Sequence, residues 1–280
     1  MTPANGGLNM ALNSRQDIPL HQRRLHTGLV SVTFRALSAQ EVVTTACRAG
    51  LEGIEWGGDV HVPHGDLSVA REVHAMTNDA GLSVVSYGSY YRAGSSEQEG
   101  LPFERVLQTA IALGAPTIRV WAGNQASAQG DAAFRDRVDQ DTRRVASLAA
   151  GAGIDIAFEY HGGTLTDTCQ STLDLIERVK APNLRQYWQP ALGLSPQQRL
   201  RDLRRILPHL SHAHAFFWHD HGGTIDRRPL AEGEDEWRSY LGLIRGDDRP
   251  HFVLLEFVRD DSVPQFQHDA ATLLRWLEAC

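Results

Sequence analysis

Apolar residues in this chain fall in short continuous runs, such as "GIEW", "LSVVSY", "APTIRVW" and "IDIAFEY", set between longer helical stretches. The joins repeat: "CRAGLEGIEW", "NDAGLSVVSY", "ALGAPTIRVW" and "GAGIDIAFEY" each close a helical segment on glycine before the run begins. Glycine just past a helix end supplies the left-handed conformation at low steric cost. The Val/Ile/Tyr/Trp run behind it reads as a strand. Extended along the chain, the pattern predicts strands near residues 28–34, 53–57, 82–87, 117–121, 154–160, 184–188, 210–216 and 252–257. Helices are predicted near 38–49, 67–80, 102–113, 131–151, 168–180, 195–207, 234–245 and 264–278. Ser38 and Glu41 have capping-box spacing, in which each side chain satisfies a free backbone N–H. Pro102 and Pro196 suit helix starts, where the missing N–H costs little.

The strands are unbroken apolar runs more than strict alternations, as expected when both faces are buried. Regular β/α alternation over most of the chain implies parallel strands joined by helical crossovers. Eight units close naturally into a (β/α)₈ TIM barrel, an α/β fold in a single domain spanning residues 26–280. An open doubly wound sheet is the alternative, but no Gly-x-Gly-x-x-Gly follows the first strand. Residues 1–25 are polar and rich in turn formers, and are expected to be a flexible leader dispensable for folding. They lack the apolar core of a signal peptide.

Composition narrows the setting. The 280 residues are 42% hydrophobic and carry a net charge of −7. The densest basic run, Arg201, Arg204 and Arg205, sits on an amphipathic helix and reads as a solvated face. Nucleic acid is therefore not expected as a partner, since phosphate binding needs a concentrated positive surface. Cys47, Cys169 and Cys280 are far apart and odd in number. That fits a reducing, cytoplasmic setting and no disulfide framework. No apolar stretch approaches the roughly 20 residues that span a membrane, so no membrane partner is expected. Self-association is left open.

In such a barrel the active site lies at the C-terminal strand ends. Those ends carry Glu55 and Trp56 on strand 2, with His61 and His64 behind them. Tyr87, Tyr90, Tyr91 and Arg92 follow strand 3, and Arg119 and Trp121 end strand 4. Glu159 and His161 end strand 5, Trp188 and Gln189 strand 6, His212 and His214 strand 7, and Glu256 strand 8. Burying Glu159, His214 and Glu256 together would be costly without a cation. A divalent metal removes that cost, and oxygen and nitrogen ligands suit it. Trp56, Trp121 and Trp188 are candidate stacking walls. His61, His64, His161 and Arg228 are candidates for hydroxyl or anion recognition. The loop residues His219 and His221 read as solvated.

Several segments together resemble the xylose isomerase-like barrels of sugar-phosphate isomerases and epimerases. They are "GIEWGGDVHVPHGD", "FEYHGGTLTDT", "YWQPALG", "HAHAF", "RRPLAEGEDEW" and "LLEFV". The group includes ketose 3-epimerases, hydroxypyruvate isomerases, inosose dehydratases and endonuclease IV. The resemblance implies one Mn²⁺, Mg²⁺, Co²⁺ or similar ion, held by a Glu, an Asp, a His and a second Glu. These fall on Glu159, Gln189, His214 and Glu256, with His212 the second choice for the histidine. Gln189 stands where the family has Asp, which implies weaker metal binding. The resemblance further implies that Glu159 and Glu256 move protons on a sugar or polyol-like α-hydroxy carbonyl substrate through an enediolate. Isomerisation or epimerisation is the leading expectation. A related dehydratase, and a sugar-binding barrel without catalysis, are the alternatives. A phosphodiesterase like endonuclease IV is opposed by the negative net charge.

Overall fold

The computed structural model describes residues 24–279. Eight parallel strands close into a barrel. They are β1 (Leu25–Val30), β2 (Gly53–Gly57), β3 (Ser83–Arg92), β4 (Thr117–Trp121), β5 (Asp155–Phe158), β6 (Leu184–Trp188), β7 (Leu210–Ala215) and β10 (His251–Leu255). Helices α1 (Ala39–Arg48), α2 (Leu67–Asp79), α3 (Phe103–Leu113) and α4 (Ala132–Gly151) follow the first four strands. Then come α5 (Cys169–Val179), α6 (Pro196–Ile206), α7 (Glu234–Arg245) and α8 (Val263–Ala279). The ring closes where β1 pairs with β10, Leu25 opposite His251 and Leu29 opposite Leu255. The predicted (β/α)₈ barrel is the observed fold. Among the described residues, no helix is long and apolar enough to cross a membrane.

The punctuation works as expected. Ser38 and Glu41 form the reciprocal capping box of α1, and Ser195 and Gln198 form another at α6 with Pro196 in its first turn. Gly114, after α3, adopts φ +69°, a conformation that costs an L-residue steric strain. Several predicted edges move: the third strand runs on to Arg92, beyond the expected 87, and the fifth stops at Phe158, short of 160. The first strand was expected at 28–34 but begins at Leu25, just ahead of the expected barrel boundary at residue 26. Its second half, Ser31–Phe34, is a buried 3₁₀ turn. The run is apolar in either conformation, so hydrophobicity alone could not place the end. A hairpin, β8 (Phe217–Asp220) with β9 (Ile225–Arg228), stands in the loop after β7, where only loop was expected. Apart from Arg24 and Leu25, the expected leader lies outside the described residues.

The core has two parts. The larger lies between barrel and helices, and includes Trp56, Phe103, Trp188, Trp237 and Trp276. The smaller is made of Val30, Val32, Val85, Ala157, Tyr187 and Leu254, with Tyr90, Phe252 and Phe257 against it. Side chains alternate sides along a strand. Ala157 therefore shares its side with Glu159, Tyr187 with Gln189, and Leu254 with Glu256. The inward layer above this small plug is polar, and that layer is the candidate site.

Candidate active site at the barrel mouth

Four acidic or basic side chains form a buried chain inside the mouth. Arg119, on β4, is 2% exposed and donates from Nε to Glu55 Oε1 at 2.7 Å. Its Nη1 donates to Glu159 Oε2, which also accepts from Trp121 Nε1. Glu55 takes a further hydrogen bond from Ser86 Oγ at 2.7 Å. Burial alone would raise the Glu55 pKa, but Arg119 and His214 beside it hold the carboxyl well below its usual range. The two carboxylates likewise keep the Arg119 guanidinium charged despite complete burial. Gly88 makes room for this: a Cβ there would lie 2.8 Å from Arg119 Nη2.

His214 sits at the centre and is fully buried. Its Nδ1 lies 3.0 Å from Gln189 Oε1, 3.3 Å from Glu256 Oε2 and 3.8 Å from Glu159 Oε1. Its Nε2 faces Glu55 Oε1 at 3.5 Å and has no hydrogen-bond partner among the described residues. Burial opposes protonation, yet Glu256 and Glu55 outweigh it and push the imidazole up to about 10. Tyr187 packs its ring 4.9 Å from His214, and burial keeps its phenol protonated.

Tyr90 closes one wall. A register shift in β3 throws it into the left-handed region at φ 56°, a strain of roughly 1–3 kcal/mol for a non-glycine residue. That turn puts its ring over the Arg119 guanidinium at 5.2 Å and edge-on to Trp121. Arg35 Nη2 donates to its hydroxyl at 3.3 Å, and burial raises its pKa to about 12. On the rim, His161 packs on Trp121 with ring centroids 4.7 Å apart. Its Nδ1 hydrogen-bonds Gly162 O at 2.7 Å, which leaves Nε2 directed away from that bond.

A divalent cation fits the donors. Metal–ligand bonds near 2.1 Å set at right angles separate neighbouring donor atoms by about 3 Å. The spread of 3.0–3.8 Å around His214 Nδ1 is close to that. The donor atoms of Glu159, His214 and Glu256 all lie within 4.8 Å of one another. Glu159 has Oε1 free for an ion, because Arg119 and Trp121 hold Oε2. Glu55 stands behind His214 as an orienting carboxylate, a common partner of metal-bound imidazole.

The profile of the xylose isomerase-like TIM barrels matches residues 43–280. The chain belongs to this family. A relative named 3-dehydroshikimate dehydratase, from Bacillus anthracis, is 26% identical over 276 residues, covering 89% of this chain and 93% of its own. The structure of a probable 3-DHS dehydratase from the same organism superimposes with a TM-score of 0.73 at 22% identity, covering 89% of this chain and 98% of that one. A family barrel from Mycobacterium smegmatis, in complex with magnesium, gives 0.67 at 17% identity, covering 94% and 99%. These two structures speak to the fold.

Within this family barrel, the expected metal residues Glu159, Gln189, His214 and Glu256 come together. His212, the second choice, does not compete: its Nδ1 accepts the Phe252 N–H at 3.1 Å, and burial lowers its pKa to about 3. Trp121 and His161 lie at the site. The other expected substrate contacts lie elsewhere. Trp56 points outward and donates to Thr77 Oγ1 at 3.2 Å. Trp188 also points outward, onto Trp237 and Tyr240. His61 spends both ring nitrogens on Ser31 Oγ and Leu37 O, each at 3.0 Å. His64 is bound to the Tyr87 hydroxyl at 2.7 Å. Arg228 is held on the hairpin by both oxygens of Glu232. Glu55, Tyr90 and Arg119 stand among the strand-end residues of the sequence but carry no assigned role there, and Ser86 and Tyr187 are not among them. Period two along each strand would have found most of them. Choosing Gln189 as inward selects Tyr187 and rejects Trp188, and choosing Glu55 rejects Trp56.

Proposed function

We propose that the barrel mouth holds a divalent cation and removes the proton next to a carbonyl in a hydroxylated carbonyl compound, with loss of water as the outcome. A cation bound by Glu159, Gln189, His214 and Glu256 would polarise the carbonyl and stabilise the enolate charge. The remaining work falls to the protein. Glu256 takes the proton, Trp121 and Tyr90 wall the substrate, and His161 Nε2 bonds a substrate hydroxyl at the rim. Arg119 fixes Glu159 and offsets one carboxylate charge.

The observation that carries elimination over epimerisation is the inequality of the two carboxylates. Epimerisation needs one base to take the proton and a second group, on the other face, to return it. Glu159 is bound through Oε2 by both Arg119 and Trp121, and its Oε1 is turned to the cation site beside His214. Glu256 meets His214 Nδ1 at 3.3 Å, with Arg119 and Tyr90 in electrostatic reach, and no hydrogen bond from Arg119 or Trp121 ties its oxygens. One base suffices for elimination when it takes the α-proton and then gives it to the departing hydroxyl, which leaves as water. The relative named as a dehydratase supports the same reading. A dehydroshikimate is a ring ketone with hydroxyls and a carboxylate, and belongs to the proposed substrate class.

The test is direct. Protein loaded with Mn²⁺ or Mg²⁺ is given 3-dehydroshikimate, and aromatic absorbance is followed as water is lost. A panel of ketohexoses is assayed for epimerisation in parallel. Absorbance should rise with wild type, and Glu256→Gln should remove turnover without changing the melting temperature. Epimerised sugar with no elimination on any ring ketone would overturn the lyase reading. Activity of Glu256→Gln within a few-fold of wild type would overturn the role of Glu256.

A further inference from the structure

The hairpin after β7 carries a second group of metal-type side chains, separate from the buried set in the mouth. His219 on β8 stands directly opposite Asp226 on β9. His221 lies one residue past the end of β8, at the start of the turn to β9. The turn between them is fixed by the His221 N–H donating to Thr224 O at 2.9 Å and by Gly223 N–H donating to Asp220 Oδ1 at 2.6 Å. Ligand atoms of His219, His221 and Asp226 all lie within 4.8 Å of one another. Both imidazoles are exposed, and among the described residues neither has a hydrogen-bond partner. Among the described residues the competitor is Arg228 Nη1, which donates to Asp226 Oδ2 at 3.4 Å and leaves Oδ1 open. The opposite face of the hairpin is committed to packing, with Trp218 stacked on Phe216 at 3.9 Å and near Phe257.

We propose that His219, His221 and Asp226 bind a borderline divalent transition ion such as Zn²⁺, which ties β8 to β9. Two neutral imidazoles and a carboxylate are ligands for Zn²⁺, Ni²⁺ or Co²⁺, and a poor set for Mg²⁺. Three protein ligands leave one position for water. The donors already lie within 4.8 Å of one another, and small rotations of exposed side chains bring them to the roughly 3.3 Å that bonds near 2.0 Å require at tetrahedral angles. Two-stranded hairpins are marginal by themselves. An ion joining residues on both strands would fix the register of this one and hold Trp218 against the barrel. The proposal does not depend on the reaction in the mouth.

The experiment compares the untagged full chain with His219→Ala/His221→Ala, both stripped of metal and titrated with Zn²⁺ by calorimetry. Any ion bound in the barrel is common to both chains and cancels. The wild type should bind one more Zn²⁺ than the double variant, and Asp226→Asn should weaken that extra ion by at least about tenfold. Zn²⁺ should slow amide exchange across residues 217–228 in wild type and not in the double variant. Bound Cu²⁺ gives a second readout on wild type alone: its electron paramagnetic spectrum should show a component with two nitrogen ligands from this site. Equal Zn²⁺ stoichiometry and affinity in wild type and double variant would overturn the proposal. So would unchanged exchange in the hairpin on adding Zn²⁺.

Discussion

The protonation of His214 sets a measurable opponent to metal binding. Burial disfavours the imidazolium, but Glu256 and Glu55 push the group up to about 10 in the metal-free site. At neutral pH both ring nitrogens then carry protons. Nδ1–H points at Gln189 Oε1 and Glu256 Oε2, and Nε2–H faces Glu55 Oε1. An ion that takes Nδ1 as a ligand must displace that proton. With a pKa near 10, the proton-free fraction is about one in a thousand at pH 7 and about one in a hundred at pH 8. The apparent dissociation constant for Mn²⁺ should therefore fall about tenfold per pH unit between pH 6 and 9, levelling above pH 10. Each ion bound near pH 7 should release about one proton. Titration calorimetry in two buffers of different protonation heat measures both quantities. His214→Gln should abolish the slope along with most of the affinity. A dissociation constant that is flat from pH 6 to 9, or binding without proton release, would refute either the charged His214 or its ligation through Nδ1.

Gln189→Glu keeps the side-chain length and places a charge 3.0 Å from His214 Nδ1. Opposite unit charges 4 Å apart attract by roughly 4 kcal/mol at an effective dielectric of 20, so even partial expression should tighten Mn²⁺ binding by about tenfold to a hundredfold. The comparison uses affinities extrapolated from a pH series to the level region above pH 10, where proton competition is gone; equal extrapolated affinities would mean that residue 189 is not a ligand. Arg119→Met leaves Glu55 and Glu159 buried without their cation. Breaking such a pair should cost about 3–5 kcal/mol in urea unfolding, and a loss below about 1 kcal/mol would show that the guanidinium is not the counter-ion of the site.

The sequence by itself determined the architecture. Helical segments and short buried runs alternate eight times, with glycine marking four of the joins, and parallel strands with crossovers accommodate that order. It also marked Glu159, Gln189, His214 and Glu256, because polar residues at the end of an apolar run stand out against it. What it could not supply was the inner partner of each group. Glu55 and Arg119 are 64 residues apart in the chain and touch only because β2, β3 and β4 are adjacent in the closed ring. Trp56 and Trp188 were attractive as walls because tryptophan suits both a sugar face and a core. Strand pleat sends them outward, where α2 and α7 bury them. His219 and Asp226 face each other only through the hairpin register, which two adjacent glycines in a polar loop do not announce. Local pattern is written in nearest neighbours along the chain. The pairing of charges, and hence the proton on His214, is decided across the barrel, where residues far apart in sequence share one dry interior.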